Sequence, residues 1–283
     1  MQYYTYQPNW YLCVMDDYPF KRELSPRNII LDLMGVSHPV PLEATVLPAI
    51  SDVFDQSVST LRVALTRLVA KGFLDNTQRG VYRLSAKAIA RNEFTRRWKS
   101  PQYSSKKWDS SWIACHLSKG SNRTVRSKSI NALNWLGFKP GLDGLWVRPH
   151  NLMLKLPELL SELRSLGLEA QAQVFSLNDV EDSLAKGWKN LWAVNDLDKG
   201  YQQLNKRLLK SIKSLQKPKS KTTLLETCLL GSEAIHYLAT DPQLPIEIRP
   251  TAHYEALRQT MLEYDQLGRK LWYQKLPALG VPN

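Results

Sequence analysis

The sequence predicts an α+β protein built from several consecutive domains. Between residues 26 and 84, three stretches with helical spacing of apolar residues precede two short strand-like runs. Between residues 101 and 178, strand-like and helix-like segments alternate, and beyond residue 179 the clearest pattern is an amphipathic helix. At 283 residues the chain is also longer than one ordinary domain of roughly 150 residues.

The net charge of the chain is strongly positive. Lys and Arg number 38 against 26 Asp and Glu, which gives a formal net charge of +12 at pH 7. This surplus favours an anionic partner such as nucleic acid, a membrane surface or a phosphorylated ligand. Two tracts concentrate the cations, Arg83–Lys107 and Lys199–Lys221, and the second has no carboxylate. The ordinary role of such a tract is a solvated helix face.

Cysteine usage and hydropathy exclude several classes of protein. Cys13, Cys115 and Cys228 are too far apart for a CxxC zinc pattern or a disulfide framework, and their scarcity suits a reducing cytoplasm. The first residues lack the basic start and apolar core of a signal peptide. No apolar run approaches the roughly 18 residues that span a membrane. We therefore expect a cytoplasmic protein with no membrane partner.

The first helix is predicted from Pro26, with Ser25 before it as a cap and Ile29, Ile30, Leu33 and Met34 as its apolar stripe. A second, shorter helix is expected near Glu43–Ile50, broken by Pro48. The third helix has the strongest pattern, because Ser57 can cap it and Gly72 can end it. Its core stripe is predicted to contain five residues: Leu61, Ala64, Leu65, Leu68 and Val69.

After Gly72 the spacing of apolar residues changes from helical to strand-like. Phe73-Leu74 and Val81–Leu84 flank a polar turn, and three helices followed by a hairpin is the order of a winged helix-turn-helix domain. In that domain the third helix enters the major groove of DNA. An ordinary small α+β domain with a surface helix is the alternative. The predicted DNA-contacting residues are Ser57, Ser59, Thr60, Arg62, Thr66, Arg67, Arg79 and Arg83.

Three motifs in order resemble the PaaX-type transcriptional repressors, bacterial regulators of phenylacetate and related aromatic catabolism. STLRVALTRLVAKGFL…RGVYRLS resembles their recognition helix and wing. NALNWLGFKPGLDGLWVRP (131–149) resembles their second domain, and TDPQLPIEIRP (240–250) resembles the signature of their C-terminal domain. The resemblance covers about residues 26–272.

This resemblance implies a homodimer with a winged helix, a ferredoxin-like middle domain and a mainly α-helical C-terminal domain. It also implies release from the DNA operator by an aryl-acyl-CoA thioester, phenylacetyl-CoA in the best-known members. No other cofactor is expected. We predict an N-terminal extension over residues 1–25, a winged-helix domain with a linker helix over 26–100, a middle domain over 101–178 and a helical domain over 179–283.

The middle segment agrees with this expectation. Strands are predicted at Trp108–Leu117, Gly144–Val147 and Glu169–Leu177, and helices at Arg123–Leu136 and Leu156–Leu166. This is a βαββαβ plan with one strand to be placed, around Phe138.

Beyond residue 179, Tyr201, Leu204, Leu208, Ile212 and Leu215 recur at helical spacing. That apolar face is expected to pack either internally or against a second subunit. In three places the chain departs from the family. His38–Leu42 lacks the Gly-containing connection expected between the first two helices, His236–Ala239 stands where a paired Arg is common, and His253-Tyr254 stands where a Trp is usual.

Effector binding would need cations or helix N-termini for phosphates and an apolar pocket for the acyl group. The candidates are Arg123, Arg126, Lys139, Trp146 and Arg148 of the middle domain, with His236 and Tyr237 of the C-terminal domain. For each of them, surface solvation or core packing is the alternative.

The sequence favours a non-enzymatic regulator that binds a palindromic double-stranded DNA operator as a dimer. One alternative is a ferredoxin-like, metal-dependent nuclease, with Asp109 near its first strand; such sites usually require several carboxylates. The five histidines lack metal-ligand spacing, and no metal site is predicted. A second alternative is a winged-helix protein with no small-molecule effector.

Overall fold

The computed structural model describes residues 25–36, 41–86, 88–89, 97–99, 106–118, 120, 122–215 and 221–275. The chain groups into two compact units. Among the described residues, the terminal unit contains those within 21–99, 202–239 and 256–275, and the central unit contains those within 100–201 and 240–255. The predicted division into four consecutive segments stays a prediction. The predicted N-terminal extension lies outside the described residues apart from Ser25.

The N-terminal part of the terminal unit contains three helices and a small antiparallel sheet of order β1-β3-β2. Its elements in chain order are α1 (Pro26–Val36), β1 (Leu42–Glu43), a 3-10 turn (Ala44–Val46), α2 (Leu47–Phe54), α3 (Val58–Ala70), β2 (Leu74–Gln78) and β3 (Val81–Leu84). Helix α1 packs on α3 through its predicted stripe, which is buried.

Two of these elements differ from the predictions. Pro48 lies in the first turn of α2 rather than breaking it, since a helix needs no backbone N–H in its first turn. Strand β2 continues through the polar residues to Gln78, because they pair with β3 in the register Asp75↔Arg83 and Asn76↔Tyr82. The turn is therefore short, and Gly80 provides its positive φ of 79°.

The central unit contains the βαββαβ order that the sequence predicts. Its elements are β4 (Trp112–His116), α4 (Arg123–Trp135), β5 (Lys139–Leu142), β6 (Leu145–Pro149), α5 (Leu156–Ser165) and β7 (Gln173–Leu177). The strands form an antiparallel sheet of order β5-β6-β4-β7, the ferredoxin-like arrangement. The strand expected around Phe138 is β5.

Two predicted strands begin later than expected. Before β4, Ser110 has a positive φ of 70°, and Asp109 accepts a 3.0 Å hydrogen bond from the Ser111 backbone N–H, so the chain turns there. Before β7, Arg164 donates to the carbonyls of Leu168, Ala170 and Ala172, which holds that segment as a loop.

The chain beyond residue 179 is mainly helical, as predicted. Its helices are α6 (Asp182–Lys189), α7 (Val194–Leu215), α8 (Lys221–Ala239) and α9 (Ala252–Lys275). The predicted apolar stripe of α7 is buried within this chain, which settles the choice between internal packing and a second subunit. No helix among the described residues is both long enough and apolar enough to cross a membrane.

Tryptophans form much of the core of the central unit. Trp112 of β4 contacts Trp108 and Trp188 edge-on, at ring-centroid distances of 5.3 and 5.2 Å, and stacks on Trp192 at 6.4 Å. These rings cover one face of the sheet, so they function in packing.

Candidate nucleic-acid interface

Helix α3 has one buried face and one exposed polar face. Leu61, Leu65 and Leu68 are almost fully buried, and Ala64 is buried beside them. The opposite face presents the polar residues Ser59, Arg62, Thr66 and Arg67, with Val63 at 49% exposure among them. A helix of this kind can place its polar face in a groove while its apolar face stays packed against the rest of the unit.

The N-terminus of α3 carries a cluster of hydroxyl groups. Ser57 caps the helix by accepting a hydrogen bond of 3.1 Å from the Thr60 backbone N–H. Its Oγ also lies 2.8 Å from Ser59 Oγ and 2.7 Å from Thr60 Oγ1. These exposed hydroxyls surround the positive end of the helix dipole, where a phosphate oxygen is favoured.

Four exposed arginines lie on α3 and on the hairpin. Arg62 and Arg67 belong to the outer face of α3, Arg79 to the hairpin turn and Arg83 to β3. In the part of the chain that the structure describes, none of the four forms an ion pair. Their guanidinium groups are therefore available to an external anion or to the edge of a guanine base.

The basic tract that follows the hairpin is described only in part. Arg91 and Arg96 lie outside the described residues. The turn Arg97–Lys99 is fixed to α9, because Arg258 donates a 2.7 Å hydrogen bond to the carbonyl of Trp98 and Lys99 forms an ion pair with Asp265. At least this end of the tract has a structural role.

The predicted effector residues are divided between the two units. His236 and Tyr237 lie on α8 of the terminal unit, where Tyr237 is buried. In the central unit, β6 places Trp146 and Arg148 on the same sheet face, while Lys139 pairs with Val147 and so belongs to the other face. Arg123 and Arg126 lie in the first turns of α4.

Arg148 differs from the other candidates, since its side chain is only 1% exposed. It donates hydrogen bonds to the carbonyls of Leu136, Pro149 and Pro242 and to Asn151 Oδ1. Burial lowers the pKa of Arg148 to about 9, although Asp241 opposes the shift. Its donors face the protein itself, so it connects β6 to the Pro242 segment.

Sequence reasoning missed a buried polar cluster in the TDPQLPIEIRP motif. Asp241 and Arg249 form an ion pair of 2.8 Å, and each side chain is 1% exposed. Tyr201 donates a 2.5 Å hydrogen bond to Asp241, and Arg249 lies over the rings of Tyr201 and Tyr254. The opposite charges at the two ends of the motif were visible in the sequence, but their partner Tyr201 lies 40 residues away.

Asp109, the residue considered for metal-dependent cleavage, belongs to the turn before β4. Ser111 donates to it from both its backbone N–H and its hydroxyl, and these bonds lower the pKa of Asp109. The described residues contain no group of three or more His, Cys, Asp or Glu side chains placed to hold a metal ion. The observed contacts of Asp109 are those of a turn cap.

Comparison with known proteins supports the relationship that the motifs predict. Residues 105–186 match the sequence model of the PaaX protein central Cas2-like domain. No curated protein matches. The solved structure of the uncharacterized protein Rv0674 from Mycobacterium tuberculosis is similar to this chain, with a TM-score of 0.59 and a sequence identity of 23%. The alignment covers 89% of this chain and 99% of that chain. That likeness shows a shared fold. Through residues 105–186, this chain therefore resembles the central domain of the PaaX family.

Proposed function

We propose that the protein is a transcription regulator that binds double-stranded DNA through α3 and the β2–β3 hairpin, arranged as a winged helix. The observation that carries this proposal is the exposed face of α3, where Arg62 and Arg67 have no carboxylate partner among the described residues. The match of residues 105–186 to the central domain of PaaX proteins supports the same class of function.

The chemistry of that face suits the major groove. The groove is about 12 Å wide and accepts an α-helix, and a guanidinium group can donate two hydrogen bonds to one guanine. Ser57, Ser59 and Thr60 would contact phosphate oxygens at the helix N-terminus, which fixes the helix in its register. Arg79 and Arg83 of the hairpin would bind the flanking backbone.

A dimer on a palindromic operator is the form of binding we propose. One helix reads only a few base pairs, whereas two helices related by a two-fold axis read half-sites about one turn of DNA, roughly 34 Å, apart. Repression would follow from occupancy of the operator.

The outer edge of β7 supports a dimer with a second copy of the chain. β7 lies at one edge of the sheet, no other described strand pairs with its outer side, and its sequence QVFSL has no charge and no proline. The opposite edge, β5, is protected, because Lys139 and Pro140 lie in it and its register shifts between Pro140 and Leu142. Two antiparallel β7 strands can pair about a two-fold axis.

The effector we propose is an aryl-acyl-CoA thioester, with phenylacetyl-CoA as the first compound to test. Arg123 and Arg126, in the first turns of α4, are suited to its phosphates, and Trp146 to its aryl group. Release requires that the ligand bind a conformation with low affinity for DNA more tightly than the DNA-binding conformation.

DNA selection followed by substitution tests the proposal. Duplexes that bind the wild-type protein are enriched from a random pool, and affinity is measured by fluorescence anisotropy. Arg62→Ala/Arg67→Ala should weaken binding to the enriched duplex by at least about 30-fold, since each bidentate contact contributes about 1–3 kcal/mol. Lys128→Ala/Lys186→Ala removes the same charge from exposed sites of the central unit and serves as the control. Equal affinity of the two variants would contradict the assignment of α3.

A further inference from the structure

Helix α7 carries a stripe of lysines on its exposed side. Lys206, Lys210 and Lys213 are all exposed, and spacings of four and three residues place them on one face. The opposite face is buried: Leu204 and Leu208 are fully inaccessible, and Ile212 and Leu215 are 7% exposed. The orientation of the stripe is therefore fixed by the packing of the helix.

The stripe has no neutralising partner within the described residues. None of its three lysines forms an ion pair there. Like charges four residues apart on a helix repel each other and mildly destabilise it. Lys206 and Lys210 have that spacing, so the stripe is unfavourable for the isolated helix and becomes favourable when an anion lies along it.

Contacts within the terminal unit connect this helix to the start of α3. Arg207 of α7 forms an ion pair of 2.6 Å with Glu233 of α8. Lys221, the first residue of α8, forms an ion pair with Asp55, which has left-handed geometry in the turn between α2 and α3. The N-terminus of α8 is thus held beside the N-terminal end of the proposed DNA-reading helix.

The covalent chain limits how far the stripe can lie from that point. Leu215, the last residue of α7, and Lys221 are six residues apart, so their Cα atoms are separated by at most about 22 Å. One turn of DNA is about 34 Å long. A duplex held by α3 is therefore long enough to reach the end of α7 that carries Lys213.

We infer that Lys206, Lys210 and Lys213 form a second DNA contact, directed at the phosphate backbone and independent of base sequence. This inference rests on the proposed function. At a rise of 1.5 Å per residue, the stripe extends about 10 Å along the helix axis. One strand of DNA carries a charge every 3.4 Å of its axis, so a stripe of this length matches about three phosphates.

An anionic membrane surface fits the same feature less well. A helix that lies on a membrane inserts its apolar face between the lipids. The apolar face of α7 is buried in the protein, and the exposed side offers only Leu209, at 45% exposure, as a large apolar residue. The stripe is suited to electrostatic contact with a polyanion, and DNA is the polyanion that α3 would already hold.

A triple variant with a charge-matched control tests the inference. Lys206→Ala/Lys210→Ala/Lys213→Ala is compared with Lys128→Ala/Lys155→Ala/Lys186→Ala, which removes three exposed lysines of the central unit. Binding to the enriched duplex and to an unrelated duplex is measured by anisotropy between 50 and 300 mM NaCl, and thermal unfolding verifies that both variants fold.

The stripe variant should lose about 10-fold in affinity at 150 mM NaCl, equally for the two duplexes, because phosphate contacts carry no sequence information. The slope of log K against log[salt] should fall in magnitude by about 2 to 3, since each neutralised phosphate contributes about 0.9. The control variant should stay within twofold of wild type with an unchanged slope.

Three results would overturn the inference. The first is a stripe variant whose affinity and slope equal those of the control. The second is a loss confined to the enriched duplex, which would indicate base reading. The third is unchanged DNA binding together with lost binding to phosphatidylserine vesicles. If Arg62→Ala/Arg67→Ala retains full affinity while the stripe variant loses it, the assignment of α3 fails and the stripe contact stands.

Discussion

At the scale of single residues, the buried pair Asp241–Arg249 explains why the TDPQLPIEIRP motif carries charges of both signs. Burial, and then the neighbouring Asp241 carboxylate, raises the pKa of Tyr201 well above its ordinary value. Its hydroxyl therefore stays protonated at neutral pH and donates to Asp241. Arg249 neutralises the same carboxylate through its Nη2, whereas its buried Nε and Nη1 have no hydrogen-bond partner among the described residues.

Removing one charge of this pair should be strongly destabilising. Arg249→Leu leaves Asp241 buried without its cation, and breaking a buried pair in this way costs about 3–5 kcal/mol. The free energy of unfolding, measured by urea denaturation with tryptophan fluorescence, should fall by that amount. The double variant Asp241→Asn/Arg249→Leu should recover part of the loss. A change below about 1 kcal/mol in Arg249→Leu would show that the pair is not essential to the fold.

A glycine in the central unit illustrates a second residue-scale constraint. Gly137 has a positive φ of 75°, and a Cβ atom there would lie 2.9 Å from the backbone of Pro242. The sequence indicates Gly137 as a turn residue through its place between a helix and a strand. Its close approach to Pro242, about 100 residues later in the chain, is a consequence of the tertiary fold and is not indicated by the local sequence.

At the scale of elements, the local spacing of apolar residues was sufficient to predict the helices and strands whose apolar stripes are buried in the fold. The helical spacing that predicts α3 and α7 corresponds to buried residues in both helices, except for Val69 of α3, which is only partly buried. The limits of β2, β4 and β7 were less predictable. They depend on individual hydrogen bonds that the spacing of apolar residues does not indicate, such as those from the Arg164 side chain before β7 and those between β2 and β3.

The open edge of β7 leads to a prediction about the dimer. Phe175→Lys introduces a charge on this uncharged edge strand, where the side chain is already 37% exposed. Light scattering coupled to size exclusion should show a monomer, with near-UV circular dichroism unchanged. Leu142→Lys, beside the bulge of the opposite edge and 52% exposed, is the matched control and should remain dimeric. A dimeric Phe175→Lys protein, or a monomeric Leu142→Lys protein, would exclude β7 as the interface.

At the scale of the whole molecule, the charge surplus of +12 has distinct proposed uses. The arginines of α3 and the hairpin would contact bases and phosphates, and the lysine stripe of α7 would contact phosphates only. The sequence located both groups of cations, because charge is read directly from composition. It did not show that residues 202–239 and the N-terminal helices share one compact unit, since that grouping depends on contacts between distant segments.

The proposed effector should stabilise the whole protein and release it from DNA. A ligand that binds only the native state adds about 2.7 kcal/mol of stability at 100 times its Kd. Phenylacetyl-CoA should therefore raise the melting temperature, while free CoA and acetyl-CoA should raise it less, because they lack the aryl group. The same concentration of phenylacetyl-CoA should release the enriched duplex. Stabilisation by all three compounds to the same extent would contradict an aryl-specific site.

The most direct test of DNA recognition by α3 is the ratio of Kd for an unrelated duplex to Kd for the enriched duplex, at one fixed salt concentration. This ratio isolates base reading from phosphate contact. It should fall by at least about tenfold in Arg62→Ala/Arg67→Ala, in which base contacts are lost, and stay at the wild-type value in Lys206→Ala/Lys210→Ala/Lys213→Ala. A wild-type ratio in the arginine variant would contradict the central claim that α3 reads the DNA sequence.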